Sequence, residues 1–281
     1  MIPLLSSMAP LKDRYEAWFC DIWGVMHNGE TAFEGAVEAC RRFQAQGGKV
    51  VLLTNAPRPA HSVASQLQDF GVPADCYDAI VSSADVAQHL IKEHKHLAIH
   101  HIGPDRDQAV IDQAQIEPVP LRQAEIILLT GLLDDDVETP EDYREMFAEP
   151  VRRGLKMICA NPDLMVERGN RLIYCAGALA KLYEEMGGDV LYAGKPYLPI
   201  YDMAQQKLGD LAGRPIEPPR ILCIGDGVKT DMPGAFAAGL DALFVASQLH
   251  VEQRLTDEAL QALFKPLDGV PVGALESLCW G

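Results

Sequence analysis

Ala17-Trp-Phe-Cys-Asp21-Ile-Trp23-Gly-Val-Met-His27-Asn-Gly29 is the stretch that decides the fold. Four apolar residues run without interruption into a single carboxylate, and a glycine-punctuated loop follows. An apolar run with no polar alternation is the pattern of a strand buried on both faces, as in a parallel sheet. Downstream, 36–46 places Val37, Cys40 and Phe43 at roughly helical spacing before Gly47-Gly48, a plausible helix stop. Lys49-Val-Val-Leu-Leu-Thr54 then repeats the buried-strand pattern and again ends on a polar residue.

The same grammar continues outward. Further strands are expected at 78–82, 97–102, 126–130, 156–160, 190–193 and 220–224. Helices are expected at 59–70, 140–153, 177–186 and 199–208, with a last helix and strand over 233–245. Alternation of this kind predicts an α/β protein built on a doubly wound parallel sheet. In such a sheet the ligand site lies outside the carboxyl ends of the strands. Asp21, Thr54-Asn55, Gly194-Lys195-Pro196 and Ile224-Gly-Asp226-Gly-Val-Lys-Thr-Asp231 all stand at expected strand ends. One crevice would therefore gather a hydroxyl, an ammonium and three carboxylates. A carboxylate is able to act as a covalent nucleophile. Asp21 and Asp226 offer the oxygen ligands that a hard cation such as magnesium prefers. A hydroxyl and a lysine stabilise phosphoryl oxygens as charge shifts between them.

Composition bounds the partners. The chain has 281 residues, 24 Lys and Arg against 40 Asp and Glu, and hence a net charge of −16. It is 48% hydrophobic and 23% charged, with a mean hydropathy of −0.01, as an ordinary globular protein is. No basic patch exists to neutralise a polyphosphate backbone, so neither nucleic acid nor an anionic membrane is expected as a partner. No segment approaches the ~20 apolar residues of a membrane helix, and residues 1–12 lack the basic start of a signal peptide. Seven widely spaced cysteines with no C-x-x-C suggest reduced thiols and a cytoplasmic protein. Gly225-x-Gly227 lacks the third glycine of a dinucleotide fingerprint. The histidines at 89, 94, 96, 100 and 101 fit no zinc spacing and are expected on a solvated face, as is the Asp134–Asp136 run.

The four strand-end elements, in this order, resemble the motifs of the haloacid dehalogenase-like superfamily of aspartate-nucleophile hydrolases. Leu53-Thr-Asn-Ala-Pro-Arg58, Cys159-Ala-Asn-Pro-Asp163, Cys175-Ala-Gly-Ala178 and Ala193-Gly-Lys-Pro196 are similar to its class IIA, NagD-like branch. The resemblance covers roughly 15–248. It implies a Rossmann-like core over 1–83 plus 190–281 and an inserted α/β cap domain over 84–189. It implies that Asp21 is the nucleophile, that Thr54 and the backbone near Asn55 bind the phosphoryl group, and that Lys195 neutralises both. Magnesium would be held by Asp21, Asp226, Asp231 and the backbone carbonyl of Trp23. The implied activity is hydrolysis of a small phosphorylated metabolite, such as a sugar phosphate or a nucleotide-like ester. A homodimer is compatible with it.

One position departs from the family. Its phosphatases carry a second Asp two residues after the nucleophile, as general acid and base; here Trp23 stands there. Such a group is typically worth ~10²–10⁴-fold. Trp23 therefore keeps open a weakly active or purely metabolite-binding homologue, and a phosphonate or haloacid hydrolase. His27 is the nearest titratable candidate for a substitute acid. Arg58 either contacts a substrate phosphate or caps the following helix. Asn161 and Asp163 either line the substrate mouth or hold the chain where it returns from cap to core.

Overall fold

The structure is a computed structural model that describes residues 2–168, 171–246 and 255–281. The strands in chain order are β1 (Ala17–Asp21), β2 (Lys49–Thr54), β3 (Ala79–Ser82), β4 (Ile99–Ile102), β5 (Ile126–Leu129), β6 (Lys156–Cys159), β7 (Met165–Arg168), β8 (Arg171–Tyr174), β9 (Asp189–Tyr192), β10 (Ile221–Gly225), β11 (Asp241–Val245) and β12 (Gly273–Leu275). The helices are α1 (Glu34–Ala45), α2 (Ala60–Asp69), α3 (Ser83–Glu93), α4 (Gln108–Ala114), α5 (Arg144–Arg153), α6 (Ala176–Glu185), α7 (Leu198–Ala212), α8 (Asp231–Ala237) and α9 (Asp257–Phe264).

The chain divides into two compact units. The first comprises 1–54, 61–81 and 195–281; the second comprises 55–60 and 82–194. The first unit holds a six-stranded sheet in the order β12-β11-β10-β1-β2-β3. Its pairs from β12 through β2 are parallel, with Ala17 opposite both Lys49 and Ile221. β1 and β10 are buried at every residue, as their unbroken apolar runs require. α1 and α7 pack on β2, and α8 packs on β10 and β11. The strand order reverses between β1 and β10, so the crevice at their carboxyl ends is the topological switch point. Asp21 closes β1, and Asp226 directly follows β10.

The second unit has its own parallel sheet, β4-β5-β6-β9, and an antiparallel hairpin, β7-β8. Its core gathers Ile127, Leu129, Phe147, Leu179 and Tyr183, among others. β9 pairs with β6 from Asp189 to Tyr192. Residues 190–194 therefore fall in the second unit, not in the core division expected to start at 190. The segment 55–60 joins that unit too, and residues 247–254 of the expected core lie outside the described residues. The expected helix over 140–153 starts as a 3-10 turn, Pro140–Tyr143, before α5. Thr139 and Asp142 form a capping box there, which fixes the start of the turn.

Candidate active site

The carboxyl ends of β1 and β10, with Lys195 from the segment that follows β9, supply one buried cluster in the first unit. Asp21, Asp226, Asp231 and Lys195 are each only 3–7% exposed. Carboxylate oxygens of the three aspartates all lie within 4.8 Å of one another. Lys195 Nζ donates to Asp21 Oδ1 at 2.5 Å and to Asp231 Oδ1 at 2.9 Å. The other oxygen of Asp231 accepts from Gly227 N–H at 3.1 Å and from Thr230 Oγ1 at 3.3 Å. Gly225 is required beside it: a Cβ there would sit 2.3 Å from Asp231 Cγ. Thr54, buried, ends the neighbouring strand β2.

The electrostatics follow from burial and crowding. Burial and the charges of Asp231 and Asp226 hold the Asp21 carboxyl well above the usual range, although Lys195 pulls it back. Burial alone would lower Lys195, but the Asp21 and Asp231 carboxylates outweigh it and hold the ammonium above the ordinary lysine range. Three carboxyl groups share one lysine in a place that water scarcely reaches. Clustered hard oxygen donors short of positive charge fit a divalent cation. The chemistry of the donor set is thus compatible with the expected metal.

The remaining candidates are distributed differently. Asn55, Arg58, Asn161 and Asp163 all belong to the second unit. There Asn55 Nδ2 donates to Asp163 Oδ1 at 2.9 Å, and Asp163 N–H donates to Asn161 Oδ1 at 3.1 Å. Gly194 lets this group close, since a Cβ at that position would lie 2.4 Å from Asn55 Oδ1. The bonds describe a bracing of the chain around 161–163. Arg58 is exposed; burial holds the carboxyl of Asp107 above its usual range, and the Thr130 hydroxyl and the charges of Arg106 and Arg58 pull it part of the way back.

His27 is 4% exposed, and its Nδ1 accepts from Gly29 N–H at 2.8 Å. Burial lowers its pKa to about 4, so the ring is uncharged near neutrality. An uncharged imidazole held by a backbone donor is poorly suited to the substitute-acid role. Its geometry is that of a loop brace.

A family profile described as haloacid dehalogenase-like hydrolase matches residues 18–117, and one described as HAD-hydrolase-like matches 192–266. A solved structure of a haloacid dehalogenase-like family hydrolase from Brucella suis 1330 is 44% identical. It superposes with a TM-score of 0.83, covering 98% of this chain and 100% of its own. This chain belongs to the haloacid dehalogenase-like hydrolases.

Among relatives of this hydrolase, the 5'-nucleotidase YutF of Bacillus subtilis is 25% identical over 87% of this chain and 92% of its own. The ribonucleotide monophosphatase NagD of Escherichia coli K12 is 27% identical over 81% and 86%. The hydrolase accordingly falls in the NagD-like, class IIA branch. No described helix is long and apolar enough to cross a membrane.

Sequence reading missed a second polar group in this hydrolase, at the carboxyl ends of β4 and β5. His101 Nε2 lies 2.9 Å from Thr130 Oγ1, and Thr130 also hydrogen-bonds the buried Asp107. Asp135, expected in a solvated run, is buried and paired with Arg106. His101 is half-buried, not on a solvated face. The signal was present for His101, because His100 and His101 on one strand must face opposite ways. His100 Nδ1 indeed meets Val119 O at 2.8 Å instead.

Proposed function

We propose that this hydrolase is a magnesium-dependent phosphatase of a small phosphorylated metabolite, a sugar phosphate or a nucleotide-like ester. The observation that carries the reading is the buried Asp21–Lys195–Asp231 cluster with Asp226 beside it. Asp21 Oδ attacks phosphorus in line, and the bond to the ester oxygen breaks as an aspartyl-phosphate forms. Water then attacks phosphorus, restoring the Asp21 carboxylate and releasing phosphate. Lys195 holds the nucleophile in place and supplies positive charge to the transferring group. The Thr54 hydroxyl and backbone N–H groups near Asn55 are assigned to its remaining oxygens. Asp21, Asp226, Asp231 and the Trp23 carbonyl would hold the magnesium ion. When bound, the ion neutralises phosphoryl charge and allows the anionic nucleophile to approach.

Asp21 must be ionised to attack, yet in this carboxylate cluster its proton is held tightly. Added positive charge beside the cluster eases release of that proton. A bound cation would thus favour the nucleophilic form of Asp21 as well as the approach of phosphate. With Trp23 at the acid position and His27 uncharged, leaving groups that need no proton are favoured.

The nucleotide and sugar-phosphate classes are supported by the names of relatives, which include a sugar phosphatase, AraL, of Bacillus subtilis. A cytoplasmic location is supported by seven cysteines, none in a disulfide. A homodimer is supported by Leu164, Met165, Val166 and Leu172, which are exposed on or beside the β7-β8 hairpin. The deciding experiment is hydrolysis of 4-nitrophenyl phosphate and a phosphometabolite panel with magnesium, against Asp21→Asn. Turnover well above that control is expected. Equality across the panel refutes the phosphatase and leaves a metabolite-binding protein.

A further inference from the structure

We propose that the indole of Trp23 is a specificity-determining platform for the leaving group. It would favour phosphate monoesters whose alcohol carries a planar aromatic ring. The inference rests on the phosphatase reading and deepens it.

The first observation is position. Trp23 lies two residues beyond Asp21, so their Cα atoms are within about 7 Å of each other. It therefore stands at the carboxyl end of β1, where the nucleophile also stands.

The second is exposure. Asp21, Ile22, Val25, Met26 and His27 are all buried, yet Trp23 between them is 37% exposed. A large apolar side chain left partly in water on the loop that follows the nucleophile is a surface that gains from being covered.

The third is rigidity. Gly29 has φ +92°, and a Cβ there would lie 2.4 Å from Trp23 Cη2 and 3.0 Å from Cζ3. The six-membered ring is thus seated directly against a glycine backbone. The His27 ring meets it edge-on, with centroids 5.4 Å apart and planes at 78°. His27 in turn packs on Phe70 at 4.8 Å and accepts from Gly29 N–H. Gly24 N–H donates to His27 O, and Met26 N–H to Ile22 O, closing the loop backbone around the ring. The side chain is ordered before any ligand arrives, so covering it costs little rotamer freedom.

The indole N–H is far too weak an acid to protonate a departing alkoxide, although it can donate a hydrogen bond. The ring offers a π-face. Stacking of a planar ring on such a face changes affinity by about 5- to 100-fold. The residue that loses proton transfer at this position thereby gains a selective contact with one class of leaving group.

The test uses the full chain with magnesium and two esters of the same kind of primary alcohol, with and without a ring system. These are adenosine 5'-monophosphate and ribose 5-phosphate. The parent should prefer the ring-bearing ester in kcat/KM by about tenfold or more. Trp23→Leu should bring that ratio to within about twofold of unity, and Trp23→Phe should retain most of it. The same ratio in parent and Trp23→Leu overturns the platform. A parallel arm measures binding of both esters to metal-loaded Asp21→Asn, with and without Trp23→Leu. An unchanged binding ratio likewise overturns it, independently of turnover. Failure of the phosphatase reading is seen separately, as 4-nitrophenyl phosphate turnover equal to that of Asp21→Asn.

Discussion

Replacing Lys195 by Met removes the ammonium that bonds Asp21 and Asp231 while keeping a long side chain in the core. Lys195 is 3% exposed and bonds both carboxylates at 2.9 Å or less. Removing one partner from a buried charge cluster costs about 3–5 kcal/mol, because the partners stay buried without compensation. At about 2–4 °C per kcal/mol, the melting temperature should fall by roughly 6–20 °C in chelator.

The pH dependence carries the sign. Burial and the neighbouring aspartates hold Asp21 above its ordinary value in the folded protein, and Lys195 pulls it back. A raised carboxyl contributes its stability below the unfolded pKa of about 3.9 and loses it as pH rises. Without Lys195 that loss deepens. Lys195 itself, held above the lysine range, contributes fully at any pH below about 10.4, so it adds no slope between pH 5 and 8. The gap in melting temperature between parent and Lys195→Met should therefore be wider at pH 8 than at pH 5. Circular dichroism melts in EDTA at both values measure it. Phosphatase turnover should fall about 10²–10³-fold alongside. Melting temperatures within 2 °C at pH 8 would refute the view that this lysine compensates a buried carboxylate cluster.

Other outcomes are expected. Saturating magnesium at about 100 times its Kd should stabilise the parent by about 2.7 kcal/mol in calorimetry, and Asp226→Asn should abolish most of that gain. Gly29→Ala places a side chain at φ +92° against the indole, so it should cost about 1–2 kcal/mol in urea titrations and also lower the adenosine monophosphate to ribose phosphate ratio. Ser82→Ala removes the Oγ that accepts from Asp85 N–H at 3.1 Å in the α3 capping box, a loss of about 1 kcal/mol in the same titration. Burial lowers His101 to about 4, so the parent should lose stability as pH falls from about 6.5 towards 4, and a His101→Gln variant should show a shallower loss.

Elements built from unbroken apolar runs were legible without a fold. β1, β2 and β10 could be located from Ala17–Cys20, Val50–Leu53 and Ile221–Ile224, and the polar residue closing each run marked the site. Short elements with mixed patterns were not. The β7-β8 hairpin has four residues per strand, too few for alternation to stand out from chance. α3 starts at a Ser82–Asp85 capping box, but Ser and Asp are as common in turns as at helix starts, so the pair does not single out a helix until the backbone is folded. β9 was found as a strand but given to the wrong sheet. Its apolar residues are equally compatible with either neighbour, and only the register with β6 assigns it.

The sequence by itself determined the α/β class, the residues at the strand ends and the absence of an acid at Trp23. These are properties of single positions and their local periodicity. The tertiary structure decided what those residues are to one another. It brought Asp21, Asp226 and Asp231, up to 210 residues apart, within 4.8 Å and set one lysine between two of them. It also decided that His27 is an uncharged brace and that Trp23 is a seated, exposed ring. Proton affinity and accessibility depend on burial and on neighbouring charge, and a linear sequence specifies neither until its strands are paired.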